Sequence, residues 1–242
     1  LTHSDMEAKN IYEDLSFYTN DIYYFPAKEV VFYNIDAISG DLRWARLKVI
    51  KEILDNKNKI IVTSIDTLTS VYTPKELFRE YTFKLSVDDD VNFKDLSKKL
   101  LESGYERVEA VEGKGEFSLR GGILDVFPPI ATYPYRIELF GDSIESIRTF
   151  NKESQRSIEK VDNIEIFPAK EIILNEEALN RGKEAILKEF QEIKGKAKGN
   201  DERIQKLESI ISANIESLTE TLTFETLDSY LPYFYDKTDS FF

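Results

Sequence analysis

The side chains that carry most covalent enzyme chemistry are nearly absent from this sequence. Among its 242 residues there is no Cys and one His, His3. Thiol nucleophiles, disulfides and Cys-based zinc sites are thereby excluded, and a nucleophile–His pair is not expected. Phosphate cradling needs G-x-x-x-x-G-K-[ST], whose backbone N–H groups face the phosphates while its Lys reaches them. The ten glycines never take that spacing. Gly113 and Gly115 begin a dinucleotide fingerprint, but Ser118 stands where its third Gly belongs. With 45 acidic residues, no one carboxylate pair singles itself out as acid and base. Neither catalysis nor a cofactor or metal site is expected of this chain.

What remains is recognition chemistry. In the run from Glu116, strand alternation puts Phe117 and Leu119 on one face and Ser118 and Arg120 on the other. In the run from Arg136, Ile137 and Leu139 share the core side, while Arg136, Glu138 and Phe140 share the opposite face. Arg beside an exposed aromatic is the make-up of an interface hot spot. A solvated sheet face with one stray Phe has the same pattern. Asp125 lies in an apolar run, where a carboxylate needs a cation, and an Arg such as Arg120 is the expected partner. If Gly141-Asp142 is a two-residue turn, Glu138 sits opposite Glu145. Opposed like charges are unfavourable, so Arg120 or Arg136 is expected to bridge them.

The elements that position these residues fall into three segments, 1–81, 82–168 and 169–242, parted where the periodicity changes. The first reads as α/β with a parallel sheet. A strand end at Leu1 precedes a helix capped by Ser4 or Asp5, with Ala8, Ile11, Tyr12, Leu15 and Tyr18 as its stripe. A strand over 21–25, a helix over 41–54 and a strand over 59–63 follow, and Ser64, Asp66 and Thr67 can cap a further turn. The strand end at Leu1 and the absence of an initial Met predict a preceding strand and helix in a longer protein.

The second segment reads as a small α+β domain with an antiparallel sheet. Phe83, Leu85 and Val87 alternate, Asp88-Asp89-Asp90 supplies negative charge at a helix start, and Gly104 closes the helix. Strands are expected over 107–111, 116–120, 123–127, 136–140, 143–150 and 163–167, with Gly113–Gly115 and Gly141-Asp142 as hairpin turns. The third segment reads as a helical hairpin. Leu179, Ile186, Phe190 and Ile193 form one stripe and Ile204, Leu207, Ile211, Ile215 and Leu218 the other, around Gly199-Asn200-Asp201. Phe25-Pro26-Ala27-Lys28-Glu29 recurs as Phe167-Pro168-Ala169-Lys170-Glu171. The two copies are expected to leave neighbouring strands of the first segment's sheet.

Net charge is −13, and none of the three segments is basic. Duplex binding normally needs a Lys/Arg stripe, so appreciable DNA binding by this chain is not expected. No apolar run approaches the ~20 residues that span a bilayer. Absence of Cys fits a reducing cytoplasm.

The stretch Leu119-Arg120-Gly121-Gly122-Ile123-Leu124-Asp125-Val126-Phe127-Pro128-Pro129 is distinctive, as is the later run from Tyr135 to Arg148. Both closely resemble the UvrA-interacting domain shared by the nucleotide-excision repair protein UvrB and the bacterial transcription-repair coupling factors, the Mfd family. Phe150-Asn151 through Ser154-Gln155-Arg156-Ser157 is similar to the coupling factors rather than to UvrB, and Tyr230-Leu231-Pro232-Tyr233-Phe234-Tyr235 resembles a later part of the same module. The resemblance covers nearly the whole chain. It implies the amino-terminal UvrB-homology module: 1–81 as domain 1A without its amino-terminal part, 82–168 as the UvrA-interacting domain 2, and 169–242 as domain 1B without its end.

It also implies a non-catalytic adaptor that recruits UvrA to stalled RNA polymerase in transcription-coupled repair. RNA polymerase, DNA, ATP and Mg would be handled by domains outside this chain. The carboxy-terminal domain of the full-length protein would mask the docking face. The family's UvrA contacts fall on Arg120, Arg136 and Phe140, and Glu138, between Arg136 and Phe140 on the same face, is expected to support them. Both Arg groups would then pair with UvrA carboxylates. Phe140→Ala or Arg136→Ala should each cost about 2 kcal/mol of binding with little change in melting temperature. Two other classes compete. A UvrB-type, DNA-loading helicase-like core would show a P-loop and a Tyr-rich hairpin, and nothing here resembles that hairpin. A structural α/β domain would have no partner at all.

Overall fold

The computed structural model describes residues 1–28, 40–55, 59–197, 202–224 and 226–238. Glu29, the Gly199-Asn200-Asp201 turn and the last four residues lie outside them. The described chain mixes helices with small sheets and divides into two compact units. Among the described residues, one comprises 1–70 and 75–173, and the other 71–74 and 174–238.

The first unit opens with helix α1, Asp5–Ser16, capped by Ser4, whose side chain accepts from the Glu7 N–H at 3.3 Å. Asp5 does not cap the helix. It accepts from the Ala27 N–H at 2.8 Å and from the Tyr24 hydroxyl. Strands β1, Ile22–Phe25, and β2, Ile60–Thr63, pair in parallel, flanking helix α2, Gly40–Leu54, in the chain. Thr2 adds a third parallel rung, donating to the Thr63 carbonyl at 3.1 Å. Ala8, Ile22 and Val62 form the core there, with Tyr12 and Tyr24 against it. The far end of the expected α1 stripe is outside: Leu15 is exposed, and Tyr18 is 87% exposed. Short helices α3, Ile65–Thr69, and α4, Lys75–Tyr81, follow. α4 was not expected, because seven residues are too few to establish a helical period.

Strand β3, Phe83–Ser86, leads to helix α5, Phe93–Glu102. The helix cap is Asn92, not the acidic triplet, and its side chain accepts from the N–H groups of Lys94 and Asp95. Asp88 takes a left-handed φ of 70°, and Asp89 accepts from the Ser86 N–H at 2.7 Å. The triplet is therefore a turn.

The central sheet has six strands in spatial order: β4, Glu106–Arg107; β5, Glu116–Arg120; β6, Ile123–Val126; β7, Tyr135–Phe140; β8, Ser143–Phe150; and β9, Ser157–Val161. It is antiparallel except that β4 and β5 run parallel. Gly113–Gly115 is therefore not a hairpin turn. The chain loops back over 108–115, and the Glu116 carboxylate holds the N–H groups of Glu112 and Gly113 at 2.8 and 2.7 Å. The strand expected over 107–111 is only two residues long. β9 was missed because its sequence, SIEKV, is almost wholly exposed and has no alternation.

One sheet face packs Phe117, Leu124, Val126, Ile137 and Ile147 against Leu96 and Leu100 of α5, with Leu85 and Ile164 completing the cluster. Strand β10, Asn163–Ile166, pairs antiparallel with β3. The strand ahead of the second Phe-Pro-Ala-Lys-Glu copy thus belongs beside β3, which corrects the expectation that it neighbours β1. The two copies still meet, through a side chain. Arg46 of α2, 2% exposed, donates to the Pro26 carbonyl and clamps Glu171 with Nε at 2.6 Å and Nη2 at 2.8 Å. Lys28 adds a contact to Glu171 at 3.6 Å.

In the second unit, helices α6, Glu176–Lys196, and α7, Glu202–Glu220, run antiparallel. Lys183 meets Thr219, and Lys194 meets Glu208. A 3₁₀ turn, Leu227–Tyr230, leads into α8, Leu231–Phe234, which packs on α6. No helix among the described residues is long and apolar enough to cross a membrane.

Two predictions follow from this packing. Burial pushes the Glu171 carboxyl up, but the hydrogen bonds and charge of Arg46, aided by Lys28, outweigh it and hold the group below its ordinary value. A depressed folded-state pKa contributes stability above the unfolded value, about pH 4.3, which is lost as pH falls through the folded value. Melting curves between pH 6 and pH 3 should show Glu171→Gln less stable at neutral pH, with the gap to the parent closing on acidification. In the second unit, a Cβ on Gly182 would lie 2.2 Å from the Phe234 ring, which is fully buried. Ala gains about 1 kcal/mol of helix propensity over Gly, but overpacking costs about 1–3 kcal/mol. At so short an approach the clash wins, and Gly182→Ala should lower the urea midpoint.

Candidate partner-binding site

The site lies on the sheet face opposite the α5 core. Register places Ser118, Asp125, Arg136 and Arg148 in one row across β5 to β8, and Arg120, Ile123, Glu138 and Ser146 in the next. Asp125 has no solvent exposure, so its carboxylate needs partners. Arg136 supplies a two-pronged pair, with Nε at 2.7 Å from Oδ1 and Nη2 at 2.8 Å from Oδ2. Arg120 adds Nη2 at 3.0 Å from Oδ2. The expected pairing with an Arg is present, and Arg136 rather than Arg120 is the stronger partner. It is the cross-strand neighbour of Asp125, a register that sequence alone does not supply. Hydrogen bonding to Asp125, opposed by burial, raises the Arg136 pKa further, so the group is always a cation.

This face is not simply open. Val111, Phe127 and Phe150 form a second small core on it, and Ser118 is buried beneath segment 108–112, donating to the Glu109 carbonyl at 2.8 Å. Arg136 stacks over Phe150, with 4.6 Å from its guanidinium carbon to the ring centroid. Its side chain is 18% exposed, against 55% for Arg120. Arg136 also donates to Gln155, from Nη1 to the carbonyl at 3.3 Å and from Nη2 to Oε1 at 3.1 Å. Four of its five N–H groups are thus used inside the chain. The expectation that both guanidinium groups offer a fork to a partner is corrected: Arg120, with one such bond, keeps its fork, and Arg136 does not.

Phe140 ends β7 beside the Gly141-Asp142 turn, 82% exposed. The Gly121-Gly122 turn, which follows Arg120, lies at the same end of the sheet, with the Leu139 N–H donating to the Gly122 carbonyl at 2.8 Å. Strand spacing sets the Arg120 and Phe140 backbones about 12 Å apart. The structure therefore brings Arg120, Ile123 and Phe140 to one sheet end, with Arg136 set deeper. The opposition of Glu138 and Glu145 does not occur. The register shifts between Glu138 and Leu139, so that Ser146 stands opposite Glu138. The Ser146 hydroxyl donates to Glu138 at 3.0 Å, and Arg148 pairs with the same carboxylate. Arg148, not Arg120 or Arg136, neutralises Glu138.

A cavity of about 790 Å³ opens elsewhere in this unit, walled by Trp44 and Lys48 of α2 and by Lys114 and Tyr133. Burial lowers the Lys114 pKa, as does the charge of Lys48, with Asp41 opposing. Arg120, Arg136, Glu138 and Phe140 do not line it. Among the described residues no group of three or more His, Asp or Glu is gathered as a metal site would need.

Residues 83–172 match the model of the UvrB interaction domain family. Over its whole course the chain is similar to one class of protein in particular. It is 35% identical to the transcription-repair-coupling factor of Bacillus subtilis (strain 168), over 99% of this chain and 20% of that protein. Against the transcription-repair-coupling factor of Staphylococcus aureus (strain USA300), identity is 30% over 81% of this chain and 17% of that protein. The UvrABC system protein B of Thermosipho africanus (strain TCF52B) is 34% identical over 70% of this chain and 25% of that protein. The chain spans about a fifth of the length of the coupling factors it matches.

The ion pairs separate the two arginines by role. Arg136→Ala leaves a buried carboxylate with one exposed partner, and breaking a buried pair costs about 3–5 kcal/mol. Arg120→Ala leaves the two-pronged pair intact and should cost under about 1 kcal/mol, as exposed ion pairs do. Thermal melts should therefore show a clear drop for Arg136→Ala and almost none for Arg120→Ala. This replaces the expectation that Arg136 could be truncated without affecting stability.

Proposed function

We propose that this chain is a non-catalytic adaptor module of a transcription-repair coupling factor, and that it recruits UvrA in transcription-coupled nucleotide-excision repair. The observation that carries the reading is the sheet end itself. An 82% exposed Phe140 shares it with the unspent guanidinium fork of Arg120. The match of residues 83–172 to the UvrB interaction domain family supports the same reading.

On this reading Phe140 and Ile123 form the apolar anchor, and Arg120 takes a carboxylate of UvrA in two-pronged fashion. Arg136 acts mainly by holding Asp125, and Glu138 supports from the row beside them. The reading divides the chain into domains at 1–81, 82–168 and 169–242. It assigns no nucleotide, metal or duplex DNA to this chain. Engagement of RNA polymerase and DNA, and the use of ATP, belong to other parts of the coupling factor, whose carboxy-terminal domain masks the patch in the resting protein. The compartment is the cytoplasm. A UvrB-type core is the alternative, and the coupling-factor match covers more of the chain than the match to system protein B.

Calorimetry with purified UvrA tests the proposal. The parent chain should bind. Phe140→Ala and Arg120→Ala should each weaken binding on the order of 30-fold, about 2 kcal/mol, as hot-spot truncations do, with melting temperatures close to the parent. A parent that does not bind UvrA, or variants that bind as well as the parent, would refute it.

A further inference from the structure

The turn over 151–156 is more elaborate than a connection between β8 and β9 requires. The Asn151 side chain accepts from the N–H groups of Glu153 and Ser154 at 3.1 and 2.8 Å. The Asn151 backbone closes the turn, with its carbonyl accepting from the Gln155 N–H at 2.8 Å and its N–H donating to the Arg156 carbonyl at 2.9 Å. Gln155 sits where the turn closes, with a left-handed φ of 58°, a conformation that a side chain with a Cβ adopts at a cost. Every polar group of Gln155 is engaged. Its Nε2 donates to the Lys152 carbonyl at 2.8 Å and to the Val111 carbonyl at 3.4 Å. Its Oε1 and its backbone carbonyl both accept from Arg136.

The chemistry of the neighbours fixes the orientation of the amide. Two carbonyls require donors on one side, and a guanidinium requires an acceptor on the other. Glu would keep the acceptor but set a carboxylate oxygen against two carbonyls. Lys could not accept at all. Asp125 grips the Nε and Nη2 edge of Arg136, and Phe150 supports its flat face. Gln155 takes Nη1 and the second Nη2 hydrogen, so the group cannot turn about its Nε–Cζ bond without breaking bonds on both sides.

We infer that Gln155 is a positioning residue, which locks the Arg136 guanidinium so that its one remaining Nη1 hydrogen is presented to the docking partner in a fixed direction. The inference rests on the docking reading above. Gln155 itself does not touch the partner. It acts through Arg136, and through Arg136 on the shared Asp125 and hence on Arg120. Preorganisation of this kind raises affinity by removing the cost of ordering a side chain on binding.

Two measurements on the 242-residue chain test it. The first needs no partner: guanidinium NMR of Arg136 in the parent and in Gln155→Ala, with Gln155→Gly as a second variant that relaxes the left-handed turn. Restricted rotation should give resolved Nη proton signals in the parent, and these should merge in both variants while melting temperatures stay close to the parent. Unchanged Arg136 signals in either folded variant would overturn the inference. The second measurement is UvrA affinity. Gln155→Ala should weaken binding about 5- to 10-fold, and should add less than 2-fold when placed on Arg136→Lys, which cannot keep the fork. Additive losses would mean that Gln155 acts independently of Arg136, and would overturn the inference. If the parent does not bind UvrA, the docking reading fails, and the NMR result still decides whether Gln155 locks Arg136.

Discussion

A carboxylate with no access to water in the middle of a sheet is tolerable only when cations surround it, and Asp125 imposes that condition on everything near it. Arg136 must lie flat across β6 and β7 to reach both oxygens. Phe150 must then be beneath its guanidinium, and the 151–156 turn must bring Gln155 to its outer edge. Segment 108–112 closes the other side through Val111 and the Glu109 carbonyl. Arg120 reaches the same carboxylate from the adjacent hairpin. The cluster ties β5, β6, β7 and the approach to β9 into one rigid end of the sheet. Phe140 stands at the opposite end of β7, beside the Gly141-Asp142 turn, as an exposed aromatic.

A second buried ion pair solves a different problem in the same unit. Arg46 and Glu171 are 125 positions apart in the chain and meet at 2.6 and 2.8 Å. The helix carrying Arg46 precedes the central sheet, and Glu171 follows it. Sheet pairing does not join the two Phe-Pro-Ala-Lys-Glu segments, since β10 pairs with β3. The charge pair and the Pro26 carbonyl do it instead. Breaking a buried pair of this kind is costly, because it leaves a charge stranded away from water. Here the pair clasps the chain on either side of the sheet.

Much of this fold was legible in the sequence wherever burial imposes a period. Phe117 with Leu119, and Ile137 with Leu139, alternate cleanly and mark β5 and β7. Ala8 and Tyr12 mark α1, and the Gly141-Asp142 turn is where the sequence puts it. What was not legible depends on register or on polar chains. β9 carries no apolar alternation, because it is an exposed strand. The parallel course of β4 follows from a loop-back that a Gly-rich turn does not disclose. The partner of Asp125 was read as an Arg, and one is there. That Arg136 serves it better than Arg120 depends on which residue stands across the strand. The irregularity after Glu138 likewise removed a like-charge opposition that regular hairpin counting required.

The two ends of the strand order, β4 and β9, bear on how the domain meets other proteins. An outer strand with unpaired backbone groups invites another chain to add a strand alongside it. β4 is only two residues long, and β9 carries Glu159 and Lys160 on an exposed backbone. Short and charged borders of this kind discourage strand addition and the aggregation that comes with it. A partner is therefore offered no backbone ladder at either border. It must recognise side chains, which makes the association readable by sequence and reversible by a competing surface of the same chemistry.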